Sequence, residues 1–296
     1  MLSFRDMTLE DHCIVDRAVE ESGFLHSDFS FTDLYIWRHA WPVGFCVEDD
    51  TVFLYCTSPE RGIPSFLPPV GGKLSKKEAL LKIKEYCDAN GYPMRLYSVP
   101  ESWAKELPEL FGDSVEVTYD RDFSDYVYTQ QALATLSGKK LHGKKNHVNR
   151  FRASYESTYR ELTAEDLPDC LRMFDRWLDQ KEDDLDYGIE RAMVEEAISL
   201  LPVLPMRAGG IYIDGELVAF TVAEIRGDTA VVHVEKALPT INGLFSAINQ
   251  FFVANTLQDM TYINREEDMG IEGLRKAKES YHPEFMVNKY IARWKA

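Results

Sequence analysis

Cysteine is scarce in this sequence and never occurs in a paired motif. The 296 residues include five cysteines, scattered and odd in number, with no CxxC spacing. This usage argues against a disulfide framework or a zinc knuckle, and we expect no metal site. The sequence also lacks an apolar run of the roughly 18 residues that a membrane span needs, and residues 1–12 lack the apolar core of a signal peptide. We therefore expect a soluble, cytoplasmic protein with reduced thiols.

Positive charge is also scarce, except in one place. Lys and Arg total 33 against 49 Asp and Glu, which gives a formal net charge of −16. Residues 139–152, here called the basic segment, nevertheless hold six Lys or Arg, two His and no acidic residue. This contrast predicts contact with a phosphate-bearing partner such as a nucleotide, a tRNA or a lipid headgroup, although a solvated basic helix face would give the same pattern. The acidic remainder disfavours broad, nonspecific nucleic-acid binding, so any nucleic acid must be bound locally.

Familiar site motifs are absent or incomplete. Residues 138–144 match the first seven positions of a phosphate-binding P-loop, but Lys145 stands where Ser or Thr must hold magnesium. No GxSxG, HExxH, GxGxxG or EF-hand pattern occurs. Residues 183–188 resemble a calcium loop only in composition, and we interpret them as an acidic solvated turn. His233 alternates with apolar residues in a strand pattern, so we expect a core or lining histidine rather than a metal ligand.

An internal repeat predicts two related domains, the number that a chain of this length suggests. Residues 4–11 and 159–166 share an aromatic residue, Arg, an acid, an apolar residue and the pattern Thr-x-Glu-Asp. Each copy predicts a short strand followed by a helix. The Thr would cap the N-terminus of that helix, and the two acids would interact favourably with the positive end of its dipole. We therefore place an N-terminal domain at residues 1–135, a basic connecting segment at 136–156 and a C-terminal domain at 157–296.

Hydrophobic periodicity predicts a mixed α/β (α+β) architecture in both halves. In the first half it predicts a hairpin around Asp49-Asp50, a helix at Ser75–Ala89 and strands at Met94–Val99, Val115–Tyr119 and Tyr126–Tyr128. In the second half the predicted order is β-α-α-β-β-β-α-β-α-β. Its elements include hairpins at Asp214-Gly215 and Gly227-Asp228, helices at Leu244–Asn255 and Ile271–Tyr281, and strands at Met260–Ile263 and Met286–Ile291.

Polar residues follow two predicted strands in the second half. One strand ends in Glu235-Lys236, and Asn242-Gly243 then opens a helix, where glycine would let backbone N–H groups approach an anion or a carbonyl oxygen. The next strand ends in the stretch 264–270, which reads Asn-Arg-Glu-Glu-Asp-Met-Gly, and the helix after it carries Arg275 and Lys278. Charges at the carboxyl end of a strand suit a site in an α/β sheet.

The acids of the stretch 264–270 allow two interpretations. Glu267 or Asp268 could accept a proton from an attacking amine or hydroxyl, while Arg265 could orient a carboxylate or phosphate. Alternatively, Glu267 or Asp268 serves as a cap for the start of the next helix. The two roles can coexist.

Three segments together resemble one protein family. They are Leu141–Phe151, His233–Ala237 and Ile263–Lys278, the last followed by Ser280, Tyr281 and Pro283. Over essentially its full length the chain is similar to the cytosolic C-terminal domain of bacterial phosphatidylglycerol lysyltransferases, and specifically to stand-alone relatives of that domain. The resemblance implies two tandem GNAT-like acyltransferase domains, each a mixed, mostly antiparallel sheet flanked by helices, as in Fem-type peptidoglycan aminoacyltransferases.

The resemblance also implies an activity: transfer of an aminoacyl group from aminoacyl-tRNA to an amine or hydroxyl, with no metal, required cofactor or covalent enzyme intermediate. Glu267 or Asp268 would orient or deprotonate the attacking group, or grip the ammonium of the amino acid. Glu235 and Arg265 complete the expected catalytic set, and Arg265, Lys236 and Arg275 would steady phosphate or the developing oxyanion. The expected binding residues for tRNA or another phosphate further include Lys139, Lys140, Lys144, Lys145, Asn146, Arg150, Asn242, Gly243, Asn264 and Lys278.

Two departures from the family pattern keep alternatives open. The sequence lacks the membrane-embedded flippase portion of the lipid enzymes, which puts a lipid acceptor in doubt, although peripheral lipid contact is compatible with the sequence. Residues 238–245 lack the [Gln/Arg]-x-x-Gly-x-[Gly/Ala] turn by which GNAT enzymes hold coenzyme A pyrophosphate. The alternatives are therefore an acyl-CoA-dependent N-acyltransferase acting on a small amine, and a non-catalytic GNAT-fold protein that binds a phosphate-bearing ligand.

Overall fold

The computed structural model describes residues 1–58, 62–180 and 187–295, and their contacts divide the chain into two units. The first unit comprises Met1–Asp125 and Val287–Ala296, and the second comprises Tyr126–Met286. This division differs from the predicted boundaries, because the basic segment lies within the second unit and the end of the chain belongs to the first. Most of the acidic turn predicted at residues 183–188 falls outside the described residues.

The first unit is built on one sheet and the helices that cover it. Its elements are β1 (Arg5–Asp6), α1 (His12–Ser22), α2 (Phe31–Trp37), β2 (Val43–Glu48), β3 (Thr51–Thr57), β4 (Pro64–Phe66), α3 (Lys76–Asn90), β5 (Arg95–Pro100), α4 (Glu101–Phe111), the first part of β6 (Val115–Thr129), and β12 (Phe285–Trp294). Strands follow the order β1-β2-β3-β4-β5-β12. Asp49 and Asp50 both have positive φ at the β2–β3 hairpin, as a tight two-residue turn requires.

The second unit contains the candidate site and a run of six neighbouring strands. Its elements are α5 (Gln130–Thr135), α6 (His142–Ser154), β7 (Ser157–Leu162), α7 (Leu167–Leu178), α8 (Gly188–Ser199), β8 (Met206–Ile213), β9 (Glu216–Arg226), β10 (Thr229–Ala237), α9 (Leu244–Asn255), β11 (Tyr262–Asn264) and α10 (Glu272–Glu279). Strands follow the order β6-β11-β10-β9-β8-β7. Only the β10–β11 pair is parallel among these described strand pairs, so the sheet is mixed and mostly antiparallel.

The two copies of the internal repeat have the same local structure. In the first, both nitrogens of the Arg5 guanidinium fork donate to the Asp11 carboxylate at 2.8 and 2.5 Å. In the second, Arg160 binds Asp166 in the same way at 3.0 and 2.5 Å. Each acid also closes a capping box with a Thr three residues before it. The sequence similarity at residues 4–11 and 159–166 therefore reflects a repeated structural unit.

The repeat extends to the order of the elements. Residues 1–129 and 157–294 both run β-α-α-β-β-β-α-β-α-β, the order predicted for the second half. The last strands are exchanged, since β5 pairs with β12 and β11 pairs with β6. Each unit is thus completed by a strand from the other half of the chain.

Two predicted elements have different bounds in the structure. The strands predicted at Val115–Tyr119 and Tyr126–Tyr128 form one continuous strand, β6, and the helix predicted at Ile271–Tyr281 is limited to α10. Among the described residues, no helix has the length and apolar character needed to cross a bilayer.

The core of the second unit brings α6 close to α9. Leu141, Val148 and Phe151 of the basic segment are buried. Gly243, which precedes α9, has φ +83°, and a Cβ atom placed on it would lie 2.4 Å from the carbonyl oxygen of His147. Glycine is required there by both the backbone conformation and the close approach of α6.

Candidate functional site

The turn after β11, residues 264–270, has an unusual backbone that side chains hold in place. Glu266 and Met269 have φ of 57° and 52°, in the left-handed region that non-glycine residues occupy at a cost of about 1–2 kcal/mol. The side-chain carbonyl of Asn264 accepts a hydrogen bond from the Glu266 N–H at 2.8 Å. Two backbone hydrogen bonds with Tyr126 tie the turn to β6. Asn264, predicted to bind phosphate, is therefore part of the turn's framework.

Asp268 anchors this turn to α10. Its fully buried carboxylate accepts hydrogen bonds from Arg275 at 2.9 and 2.8 Å, from the Tyr126 hydroxyl at 2.5 Å and from the Gly270 N–H at 2.9 Å. Burial opposes ionisation, but the hydrogen bonds from Arg275, Tyr126 and Gly270 outweigh it and hold the pKa of Asp268 well below its usual range. Asp268 therefore holds the turn against α10 through Arg275, and Arg275 shares this structural role. The predicted capping role is not observed, since the N-cap of α10 is Ile271 and it has no side-chain cap hydrogen bond.

Lys278 has an equally structural position. Its ammonium donates to the backbone carbonyls of Arg265, at 2.5 Å, and Glu267, and the residue is 8% exposed. A lysine that caps two carbonyls stabilises the strained backbone between them. Lys278, expected to bind phosphate, thus holds the turn that presents Arg265.

His233 links the turn to the neighbouring strands. Its Nδ1 lies 2.7 Å from a Glu266 carboxylate oxygen, and its Nε2 lies 3.2 Å from a Glu224 carboxylate oxygen. Burial alone would lower the pKa of His233, but the hydrogen bonds to Glu224 and Glu266 raise it to about 10. The imidazolium therefore neutralises buried carboxylates, in agreement with the predicted core role.

A second group of side chains, here called the Arg265 cluster, consists of Lys144, Glu235, Asn249, Arg265 and Tyr281. One oxygen of the Glu235 carboxylate accepts from Arg265 Nη2 at 2.7 Å, and the other accepts from Asn249 Nδ2 at 3.0 Å. The Glu235 and Arg265 side chains are only 14% and 13% exposed. A charge pair so removed from water is weakly screened and geometrically defined.

Two cations of the cluster lie against one aromatic ring. The guanidinium carbon of Arg265 is 4.9 Å from the centroid of the Tyr281 ring, and Lys144 Nζ is 4.1 Å from it. Burial, followed by repulsion from Arg265, lowers the pKa of Lys144, while Glu235 opposes the shift. The two cations have one carboxylate near them, that of Glu235, so the cluster has a net positive charge. It therefore favours the binding of a negatively charged group.

Two atoms of the cluster lack hydrogen-bond partners within the described part of the chain. They are Arg265 Nη1, a cationic donor, and Asn249 Oδ1, an acceptor, and both are buried. A buried polar atom without a partner costs about 1–3 kcal/mol. Because of this cost, a buried polar atom without a partner calls for an explanation such as a ligand site. Here both atoms belong to side chains that bind the Glu235 carboxylate.

The structure thus brings together three predicted residues from separate segments, namely Lys144, Glu235 and Arg265. Asn249 was missed by the sequence reasoning. Its signal was the placement of Ser246, Asn249 and Gln250, which interrupt the apolar α9 at helical spacing. Tyr281 had been noted within a family segment but had been given no role.

The inward position of Lys144 could also have been predicted from the sequence. It shares a stripe with the buried Leu141, Val148 and Phe151, at positions i, i+3, i+7 and i+10. This spacing turns Lys144 toward the core of the second unit. Its neighbours in the basic segment face solvent instead, and the exposed predicted residues are Lys139, Lys140, Lys145, Asn146 and Arg150. We call Lys139, Lys140, Lys145 and Arg150 the basic surface.

Three further predicted residues lie away from the cluster. Lys236 pairs with Glu190 and lies 4.1 Å from the centroid of the Trp177 ring, on a face of β10 covered by other helices. Asn242 is exposed. Gly243 serves the contact between α6 and α9 described above.

Comparison with known proteins places these features in context. The family model described as phosphatidylglycerol lysyltransferase, C-terminal, matches residues 20–293. The chain is 34% identical to a solved conserved protein of unknown function from Bacteroides thetaiotaomicron, with a TM-score of 0.91 and full coverage of both chains.

Two more distant structures share the fold. L-PGS from Bacillus licheniformis has a TM-score of 0.67 at 17% identity, covering 95% of this chain and 91% of that one. A tandem GNAT protein from the clavulanic acid biosynthesis pathway has a TM-score of 0.52 at 11% identity, covering 100% and 99%. The expected tandem GNAT-like fold is confirmed.

Proposed function

Because this chain belongs to the family of phosphatidylglycerol lysyltransferase C-terminal domains, we propose that it transfers an aminoacyl group from aminoacyl-tRNA to an amine or hydroxyl acceptor. The observation that carries the proposal is the Arg265 cluster, in which Lys144, Glu235 and Arg265 meet in a nearly dry environment. These residues come from α6, β10 and the turn after β11, and each lies in a segment that resembles the family.

The cluster fits the charge that develops in ester aminolysis. The acceptor nitrogen or oxygen attacks the carbonyl carbon of the aminoacyl ester, and negative charge appears on the carbonyl oxygen. The bond to the tRNA ribose oxygen then breaks, and that oxygen takes up a proton as the new amide or ester forms. Arg265 and Lys144 offer the two cationic donors that stabilise the oxyanion, and their burial strengthens the effect. The reaction requires no cofactor in this scheme.

Two of the three acids of the turn, Glu267 and Asp268, divide the predicted roles. The Asp268 carboxylate already accepts four hydrogen bonds, so we assign it to holding the turn. The half-buried Glu267 is the acid that we assign to accepting the proton of the attacking group. Glu235 orients Arg265 through the 2.7 Å ion pair.

The basic surface suits the backbone of tRNA. Its four side chains are exposed, and Lys145 lies in the first turn of α6 next to Lys144, where the helix dipole adds further positive potential. Together they concentrate positive charge in one segment of an otherwise acidic chain. We propose that the basic surface holds acceptor-stem phosphates while Lys144 reaches the reacting ester.

The contact at Gly243 favours tRNA over coenzyme A as the donor. In GNAT enzymes that use coenzyme A, the pyrophosphate lies at the turn that opens this helix, and open backbone N–H groups receive it. Here the carbonyl oxygen of His147 approaches Gly243 so closely that not even a Cβ atom would fit. A carbonyl oxygen carries negative partial charge and does not favour a pyrophosphate beside it.

A transfer assay tests the proposal. The purified protein is incubated with radiolabelled aminoacyl-tRNAs and a panel of amine and hydroxyl acceptors, and the labelled product is counted. We expect transfer by the wild type and a loss of at least 100-fold, about the value of one oxyanion donor, in Arg265→Ala.

The matched control is Arg207→Ala. Arg207 forms a two-pronged ion pair with Asp259 at 2.6 and 2.9 Å in the same unit but belongs to neither the turn nor the cluster, so its loss should leave transfer within a few-fold of wild type. Equal activity of Arg265→Ala and Arg207→Ala would contradict the proposal. Activity with acyl-CoA and none with aminoacyl-tRNA would favour the alternative donor.

A further inference from the structure

We propose that Asn249 recognises the α-amino group of the transferred aminoacyl group, accepting a hydrogen bond at Oδ1 while Arg265 Nη1 donates to the carbonyl oxygen of the same group. The inference rests on the proposed function and assigns a specificity-determining residue within its site. It starts from the two buried atoms that have no hydrogen-bond partner in the described part of the chain.

The orientation of the Asn249 amide follows from its neighbour. The amide nitrogen lies 3.0 Å from a Glu235 oxygen, and an ionised carboxylate accepts hydrogen bonds but cannot donate them. The nitrogen must therefore face Glu235, because the reverse orientation would oppose two oxygens. The unpartnered atom of Asn249 is then its oxygen, which can accept a hydrogen bond from an N–H or O–H group of a ligand.

Glu235 also places Asn249 and Arg265 side by side. Its two oxygens each accept from one of them, at 3.0 and 2.7 Å, so both side chains converge on one carboxylate. The complementary ligand has an acceptor for Arg265 Nη1 and, close to it, a donor for Asn249 Oδ1. An α-aminoacyl ester has this pair on adjacent carbon atoms, with the carbonyl oxygen on one and the amino group on the other.

The charges around the site suit the carbonyl end of this ligand. Arg265 and Lys144 make the cluster cationic, which suits an ester oxygen that becomes negative in the reaction. The amide oxygen of Asn249 is a neutral acceptor, which does not compete with that oxyanion. An acyl group without an α-amino group would leave Asn249 Oδ1 without a donor, so the site discriminates between aminoacyl and simple acyl groups.

Access to the two atoms requires a local movement, since both are buried. Lys144 lies on the Tyr281 ring, as does Arg265, and is only partly buried. Its side chain has four methylene groups and moves at low cost compared with the packed α9.

The test compares stable amide mimics of the aminoacylated tRNA end. The probes are 3′-aminoacylamino-3′-deoxyadenosines carrying alanyl, seryl or lysyl groups, each paired with a counterpart that lacks only the α-amino group. Affinities of the full chain are measured by calorimetry. For the best-bound pair, we expect the wild type to prefer the aminoacyl mimic by about 10- to 100-fold, the range that corresponds to one unpaired buried polar atom.

A variant of Asn249 tests whether this residue causes the preference for the aminoacyl mimic. Asn249→Leu removes the Oδ1 acceptor and should bind both members of the pair equally and weakly. Gln250→Leu is the matched control, since Gln250 lies next to Asn249 on α9, is buried and donates to the Ala134 carbonyl at 3.0 Å. It should retain the wild-type preference.

The outcomes separate the two proposals. Equal affinity of the wild type for both members of a bound pair would overturn the role of Asn249 and leave aminoacyl transfer in place. A preference that survives in a folded Asn249→Leu would do the same. Failure of every mimic to bind the wild type, with no transfer from aminoacyl-tRNA, would overturn both proposals. The comparison within the wild type needs no variant, so a folding defect in Asn249→Leu does not spoil the test.

Discussion

Replacing Asp268 by Asn separates anchoring from catalysis in the turn 264–270. The substitution keeps the shape of the side chain but removes its charge. Arg275 then loses a two-pronged carboxylate partner, and the Tyr126 hydroxyl loses a charged acceptor at 2.5 Å. We expect the variant to be destabilised, because these contacts hold a backbone that is otherwise unfavourable.

The expected loss of stability follows from the burial of Asp268 and Arg275. Removing one member of a buried ion pair costs about 3–5 kcal/mol. The Asp268 side chain is fully buried, but that of Arg275 is 31% exposed, so solvent screening places the cost near the lower end, at about 3 kcal/mol. For a unit of this size, that corresponds to a fall in melting temperature of roughly 6–12 °C.

The pH dependence provides a second signature. Because the folded pKa of Asp268 is depressed, its stabilisation is present above the unfolded pKa of about 3.9 and is lost as the pH falls below that value. The difference between wild type and Asp268→Asn should therefore be full at pH 7 and shrink below about pH 4. Melting curves by circular dichroism across this range measure it.

Asp259→Asn is the matched control for Asp268→Asn. It breaks the Arg207–Asp259 pair, whose side chains are 36% and 58% exposed, and should change stability little because solvent screens an exposed pair. Glu267→Gln should alter stability less than Asp268→Asn while removing transfer activity. If Asp268→Asn melts within 2 °C of Asp259→Asn at pH 7, a cutoff of about 1 kcal/mol, the anchoring role is wrong.

Three other variants test the remaining features. Neutralising the basic surface should lower the slope of log affinity for tRNA against log salt by about 0.7–0.9 per lost phosphate contact, and an unchanged slope would exclude that surface from binding. His233→Leu removes the contacts of the imidazole with Glu224 and Glu266 and should cost about 1.5–3 kcal/mol in urea unfolding at pH 7. The stabilisation from the raised His233 pKa is full below about pH 6.5 and is lost through about pH 10, so the deficit of the variant should shrink at high pH. Gly243→Ala should destabilise more than Gly227→Ala, since both have positive φ but only Gly243 has a close neighbour, the His147 carbonyl.

Features with a local cause could be predicted from the sequence. The hairpins at Asp49-Asp50 and Asp214-Gly215 follow from residues that tolerate positive φ. The helix α9 has the bounds predicted from its apolar periodicity. The repeat at residues 4–11 and 159–166 was visible because its Arg–Asp pair and capping box lie within eight residues of each other.

The exchange of the last strands could not be predicted. Pairing of β5 with β12 joins residues near 100 to residues near 290, and nothing in the local pattern of either strand specifies which sheet it enters. The same holds for β6, which was predicted as two strands but continues without a break into the second unit. Long-range pairing depends on the whole fold rather than on propensity.

The sequence also could not predict which role each of several adjacent charged residues has. Lys144 enters the Arg265 cluster while Lys145 faces solvent, because neighbouring helix positions point in different directions. Asp268 is saturated by donors from β6 and α10, which the sequence separates by more than a hundred residues. A run of charges therefore indicates a site without assigning its members to binding, catalysis or support.

The central claim, that the second unit binds aminoacyl-tRNA as the donor of the aminoacyl group, is tested most directly by ligand-induced stabilisation. A ligand at 100 times its dissociation constant raises the free energy of unfolding by about 2.7 kcal/mol. We predict such a rise with a stable aminoacyl-tRNA mimic for the wild type, a much smaller rise for Arg265→Ala, and none with coenzyme A. Stabilisation by coenzyme A without stabilisation by the mimic would contradict the account.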